Sequence, residues 1–269
     1  MLLAVDVGNT TIQCGLFEGE KLALQFRRST NPKLSSDELG LFFRDVLALN
    51  NFDYKSVERI ACCSVVPAIN HSLSNCFRKY FSKEALFIAA GIKTGLKIKY
   101  ANPREIGADR IAGAIGAVHA AASANGADDG SCKNPGRNLI VVDMGTATTV
   151  DVITKNNEYL GGAILPGAAM SVHALSEGTA QLPSVEVVQP KNVCGSSTIE
   201  AIQSGVFYGQ AGAIRELVSK MEEKVFGGER AFVIGTGGFS RSFEGAGLFD
   251  LVLPDLVLQG LKVALDMNP

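Results

Sequence analysis

No apolar run in the 269 residues approaches the ~20 that a membrane-spanning helix requires. A basic leader with a cleavage site is also missing: Met1 opens directly into the strand-like stretch 2–7, so no secretory signal is expected. Charge of either sign is scarce in excess. The 25 Lys and Arg stand against 27 Asp and Glu, a formal charge of −2, which gives no basic field for nucleic acid or an anionic membrane. The six cysteines (Cys14, Cys62, Cys63, Cys76, Cys132, Cys194) make no CxxC pair and are too few for a disulfide scaffold. Reduced, buried thiols and a cytoplasmic location are the expectation. His71, His119 and His173 have no metal-spaced partners and read as structural. Neither a Walker A sequence nor a GxGxxG after a first strand is present, which disfavours P-loop and dinucleotide enzymes. What remains is a globular chain, 46% hydrophobic and 19% charged, long enough for one large domain or two small ones.

Three antiparallel strands open it. The apolar residues 2–5 meet Asp6 and the turn residues Gly8, Asn9 and Thr10, after which Ile12, Cys14 and Leu16 alternate with Thr11, Gln13 and Gly15. Leu22, Leu24 and Phe26 repeat that period. Ser35 and Glu38 read as a capping box before a helix carrying Leu39, Phe42, Phe43, Val46 and Leu47 on one face. A buried strand is predicted at 60–66, a helix at 68–81, a short strand at 85–89 and an Ala- and Gly-rich helix at 108–124. Asn-Gly, Asp-Asp-Gly and Asn-Pro-Gly crowd into 123–137, the composition of a surface linker. Then the opening returns: Leu139, Ile140, Val141 and Val142 meet Asp143, followed by Met144, Gly145 and Thr146. Strands at 149–154 and 159–165, a long helix at 198–224, a strand at 231–234 and a last helix from 256 complete the pattern. The motif of strand, Asp-x-Gly-Asn/Thr-Thr/Ala, strand, strand thus occurs twice, starting at Asp6 and at Asp143, half the chain apart. This duplication predicts two similar α/β domains, 1–124 and 138–269, facing each other across a cleft.

Glycine at a strand turn lets backbone approach a phosphate, whose oxygens then accept from amides and from Thr or Asn side chains. An Asp at the strand end needs a cation between itself and phosphate. Two such hairpins facing each other would grip a polyphosphate from both sides, with metal at the carboxylates. Either loop alone is also an ordinary hairpin; the duplicated pair points to a nucleotide. Gly235-Thr236-Gly237-Gly238 suits close approach of an adenosine or ribose and reads equally as a plain helix-entry turn. Gly107-Ala108-Asp109-Arg110 opens the Ala-rich helix, where amides favour an anion and Arg110 offers a planar fork to a carboxylate. Asp109 is a base candidate for a substrate hydroxyl; its bland alternative is a cap that complements the helix dipole. Cys62 and Cys63 read as core, and Phe207 with Tyr208 as core or a subunit contact.

Taken together, the duplicated hairpins resemble the actin, Hsp70 and sugar-kinase superfold, which implies two ribonuclease-H-like α/β domains. Within it, residues 6–13, Gly107-Ala108-Asp109-Arg110, 143–148 and the glycine-rich 161–167 resemble type III pantothenate kinase over essentially the whole chain. That family includes proteins described as accessory factors for virulence-gene expression. The resemblance implies ATP-dependent phosphorylation of the pantothenate 4′-hydroxyl, the first committed step toward coenzyme A. It makes Asp109 the base and places pantothenate on Tyr100, Gly107, Ala108, Asp109, Arg110 and Thr179. It assigns ATP, with Mg²⁺, to Asp6, Val7, Gly8, Asn9, Thr10, Thr11, Ile12, Gln13 and Thr146. It gives Asp143 a monovalent cation, potassium or ammonium. It implies a homodimer whose pantothenate site borrows residues across the interface. Several members carry a basic residue where this chain has Gln13. A sugar or acetate kinase of the same superfold and a non-catalytic accessory factor are the competing readings. The short chain argues against the first, and retention of Asp109 with both hairpins against the second.

Overall fold

The computed structural model describes residues 1–123, 134 and 136–269. Apart from its ends, the linker expected at 123–137 lies outside the described residues. Strands β1 (Leu2–Val7), β2 (Thr11–Glu18) and β3 (Lys21–Ser29) form the opening meander, followed by helix α1 (Ser36–Leu49). The capping box is present: Ser35 N–H donates to the Glu38 carboxylate at 2.8 Å, and Ser35 Oγ accepts from Glu38 N–H at 3.2 Å. Strand β4 (Arg59–Ser64) is two residues shorter at its end than predicted, since the residue before a proline turns away from regular pairing. Pro67 itself takes the first position of α2 (Pro67–Cys76), which passes into a single π-turn ending at Ser82, φ 56°. Short strands β5 (Ala85–Phe87) and β6 (Lys97–Ile98) lead to α3 (Ala108–Ser123). The second half runs β7 (Leu139–Met144), β8 (Ala147–Ile153), β9 (Glu158–Pro166), α4 (Ala168–Gly178), α5 (Thr198–Lys224), β10 (Phe232–Thr236), β11 (Leu251–Val252) and α6 (Leu256–Met267).

The predicted duplication is written into the sheets. One has the order β3-β2-β1-β4-β5; the other runs β9-β8-β7-β10-β11, with β6 added beyond β9. In both, the first strand pairs antiparallel with the second and parallel with the fourth. Outward, Leu3, Val5 and Val7 of β1 pack on α1 and α2 through Leu39, Phe43, Ile69 and Leu73. Ile140, Val142 and Met144 of β7 pack on α4 and α5 through Val172, Ile202 and Phe207. Inward, Ala4 of β1 and Leu139 and Val141 of β7 join a single core filled by α3 and α6. Five layers result, with the α3–α6 pair between the sheets.

Two pieces cross the sequence midpoint. β6, from the first half, extends the second sheet, and α6, the last helix, packs against β1 and β4 of the first. Arg59 at the head of β4 ties α6 down, donating to the Leu265 carbonyl and pairing with Asp266 at 3.1 Å. Among the described residues, no helix is long and apolar enough to cross a membrane.

Candidate active site

Each Asp-x-Gly hairpin turns at the end of a central strand. Gly8 N–H donates to the Thr11 carbonyl at 3.0 Å, and Gly145 N–H donates to that of Ala147 at 3.0 Å. The first loop is one residue longer than the second: Gly8, Asn9 and Thr10 against Gly145 and Thr146. Thr30, just past β3, braces it, its Oγ donating to the Gly8 carbonyl at 2.7 Å and its N–H to that of Thr10 at 2.9 Å. The two tips meet across the cleft, Thr10 Oγ1 lying 3.0 Å from Thr146 Oγ1. The glycine turn after β10 closes over the second hairpin. Gly237 has φ 86°, and a Cβ there would stand 2.3 Å from the Asp143 carboxylate, so only glycine fits.

Asp6 and Asp143 occupy equivalent places on β1 and β7, partly accessible but enclosed by protein. Burial raises the Asp6 carboxyl to about 7, with the Asp109 charge adding to the rise; the Cys63 thiol, donating at 3.1 Å from the neighbouring strand, opposes it. Asp143 is likewise raised to about 7, by burial and then by the charges of Asp6, Asp109 and Asp151. Asp109 also lies above the usual carboxylate range through burial, partly offset by the Arg110 N–H that it accepts at 2.8 Å. These carboxylates from β1, β7 and the start of α3 therefore feel one another's charge.

The donor set suits cations. Among the described residues, no three His, Cys, Asp or Glu side chains form a cage for a metal. A cation bound by one or two carboxylates, its shell completed by phosphate oxygens and water, needs no such cage, and Mg²⁺ is bound in that way beside nucleotides. Asp6 and Asp143 offer hard oxygens, raised in pKa first by burial and then by the neighbouring carboxylates, whose charge a cation would offset.

Arg110 reaches from α3 to the second sheet. Its Nε donates to Asp151 Oδ1 at 3.0 Å and Oδ2 at 3.2 Å, and its Nη2 to Oδ1 at 2.5 Å. Asp151 also accepts from the Tyr159 hydroxyl at 2.6 Å and from Thr149 Oγ1 at 3.2 Å. The Tyr100 phenol neighbours the same guanidinium, and its ring covers Gly161 (φ 92°), where a Cβ would be 2.5 Å from the ring. Tyr100, Asp109 and Arg110 thus share one wall, with Gly107 packed under the Asp109 carboxylate. Thr179 is apart from them: exposed at the end of α4, its Oγ1 donates to the Leu175 carbonyl at 2.8 Å and accepts from Leu182 N–H at 3.3 Å. Sequence reasoning missed Asp151, Tyr159, Thr30 and the donor role of Cys63. A lone acid in the apolar run of β8 is the one signal that pointed to Asp151.

A family model for type III pantothenate kinase matches residues 2–220. Relatives named type III pantothenate kinase include one from Legionella pneumophila (strain Corby), 47% identical over 100% of this chain and 99% of its own. Another, from Elusimicrobium minutum, is 44% identical with the same coverage of both chains. Among solved structures, a candidate Baf-family transcriptional activator from Campylobacter jejuni superposes with a TM-score of 0.59 at 20% identity, covering 99% of this chain and 98% of that one. A candidate N-acetylmannosamine kinase from Listeria monocytogenes gives 0.53 at 12%, covering 100% and 99%. At those identities the structures speak for the fold, two ribonuclease-H-like domains of the actin, Hsp70 and sugar-kinase kind. The family model and the full-length relatives speak for the chemistry: the chain belongs to the type III pantothenate kinases, which phosphorylate pantothenate in coenzyme A biosynthesis.

Proposed function

We propose that the floor of the cleft transfers phosphoryl from ATP to the pantothenate 4′-hydroxyl, with Asp109 as general base. The observation that carries this is the convergence of Asp6, Asp109 and Asp143 beneath two hairpins whose tips lie 3.0 Å apart. Phosphoryl transfer asks for positioning and charge neutralisation more than covalent help. The amides and hydroxyls of residues 6–13 and Thr146 hold the nucleotide phosphates; Asp6 stands where it would hold Mg²⁺, and Asp143 the monovalent cation. Mg²⁺ supplies the neutralisation of charge on the phosphates when bound with ATP. Asp109, raised by burial above the ordinary carboxylate range, is a stronger base than a free carboxylate and suited to take the hydroxyl proton. Tyr100 and Arg110 bind the rest of pantothenate.

Thr179 reaches a pantothenate site in this reading as part of a second copy. Ile164 on β9, Met170 and Leu175 on α4, and Ile199 and Tyr208 on α5 are exposed apolar side chains that a homodimer would cover. An apolar cavity of about 820 Å³ opens between α4 and α5 on that face.

The test is an ADP-release assay offering pantothenate, sugars and acetate in turn. Turnover with pantothenate alone is expected; turnover confined to a sugar or acetate overturns the reading. Exchange of potassium for sodium should lower the rate, and equal rates would remove the cation from Asp143.

A further inference from the structure

We propose that Asp151 is a positioning residue for the substrate: it fixes the Arg110 guanidinium and so decides which of its N–H groups meet pantothenate. The inference rests on the reading of Arg110 as a pantothenate-binding group.

Asp151 sits in β8, four residues past Ala147 and the turn of the second phosphate hairpin, while Arg110 lies in the first turn of α3, next to Asp109. Their contact is enclosed, the two side chains being 10% and 3% exposed. Four donor groups are aimed at the Asp151 carboxylate: Arg110 Nε and Nη2, the Tyr159 hydroxyl and Thr149 Oγ1. Such an acceptor has little freedom to move. Arg110 is therefore held at Nε and Nη2, and we assign to the ligand Nη1, which makes no bond to Asp151, on a guanidinium that also has the Tyr100 phenol as a neighbour.

The placement has two chemical consequences. Pairing leaves the Arg110–Asp151 unit with no net charge, so it offers pantothenate directed N–H donors rather than an unbalanced cation. It also fixes the start of α3 against the sheet that bears Asp143, so that base and phosphate hairpin keep one register. Fold stability by itself does not require a buried ion pair, since apolar residues of similar size usually serve as well.

The experiment compares Asp151→Asn, Arg110→Gln and the double variant, each checked by thermal melting. For each, kcat and KM are measured for pantothenate at saturating ATP, and KM for ATP at saturating pantothenate. Each single variant should lose roughly 10–100-fold in kcat/KM for pantothenate, mostly through KM, with KM for ATP nearly unchanged. The double variant should be no worse than Arg110→Gln, because without the fork nothing is left to position. If the two losses multiply instead, Asp151 acts independently of Arg110 and the inference is wrong. If Asp151→Asn does not fold, the double variant, with both charges gone, still carries that comparison. An unimpaired Asp151→Asn beside an impaired Arg110→Gln overturns the positioning role alone; an unimpaired Arg110→Gln overturns the site reading with it.

Discussion

The role of base proposed for Asp109 rests on its surroundings rather than on its residue type. Its carboxylate is partly enclosed, receives one backbone N–H from Arg110, and lies within electrostatic reach of Asp6 and Asp143. Asp109→Asn keeps the volume and removes the proton acceptor, so turnover should fall by roughly 10²–10⁴-fold with folding and nucleotide binding retained. Steady-state kinetics beside a nucleotide titration check it, and undiminished turnover would leave Asp109 as a helix cap. Asp6 and Asp143 carry a second consequence. Both are raised to about 7, against an unfolded value near 4, so between those pH values the folded protein binds more protons than the unfolded one. These two groups therefore stabilise the protein at low pH, and that stabilisation is lost as pH rises through about 7. Other carboxylates titrate as well, so the comparison with Asp6→Asn isolates the effect. Free of nucleotide and metal, Asp6→Asn should melt higher than the parent at pH 8, with the gap shrinking toward pH 5. Parallel melting curves across that range would contradict it.

At the scale of elements, the contact between α3 and α6 shows how small residues permit close packing. A Cβ on Gly260 would lie 1.8 Å from the Ala112 carbonyl oxygen, and one on Gly116 2.4 Å from that of Leu256. Backbone cannot swing aside as a side chain can. Gly260→Ala should therefore cost about 1–3 kcal/mol or more, lowering Tm by roughly 3–10 °C. Gly212→Ala on α5, where a Cβ meets nothing within 4 Å, should hold or raise it, since alanine is the better helix former. Melting the two variants side by side is the check, and equal Tm values would mean that the helices can separate at little cost. The close approach of this helix is legible in its composition, as are the capping box at Ser35 and both hairpins, because each rests on neighbours in sequence. The Arg110–Asp151 pair is not, since its partners are 41 residues apart on different elements. The two-residue strand β6 likewise depends on a distant partner, β9, and the Thr10–Thr146 contact exists only once the sheets face each other.

Across the whole molecule, the two halves are duplicated in topology but not independent in packing. Leu258, Leu261 and Leu265 of α6 are buried in the core shared by both sheets, together with Ile115 and Val118 of α3. The inner face of the first sheet is thus covered by the last helix of the chain. Lys262 adds to the tie, pairing with Glu20 in the turn between β2 and β3 at 2.7 Å. Residues 1–123 alone would retain α1 and α2 on one face of their sheet and lose α6 from the other, exposing Ala4, Ala61 and Cys63 of the common core. Burial of apolar surface is the main force holding such a layer, and net stability is a small remainder of large opposing contributions. Fragment 1–123 should therefore show no cooperative thermal transition, and co-expression with 134–269 should restore one. A sharp melting transition in the isolated fragment would mean that each half folds by itself. The shared layer would then only hold the two phosphate hairpins in register.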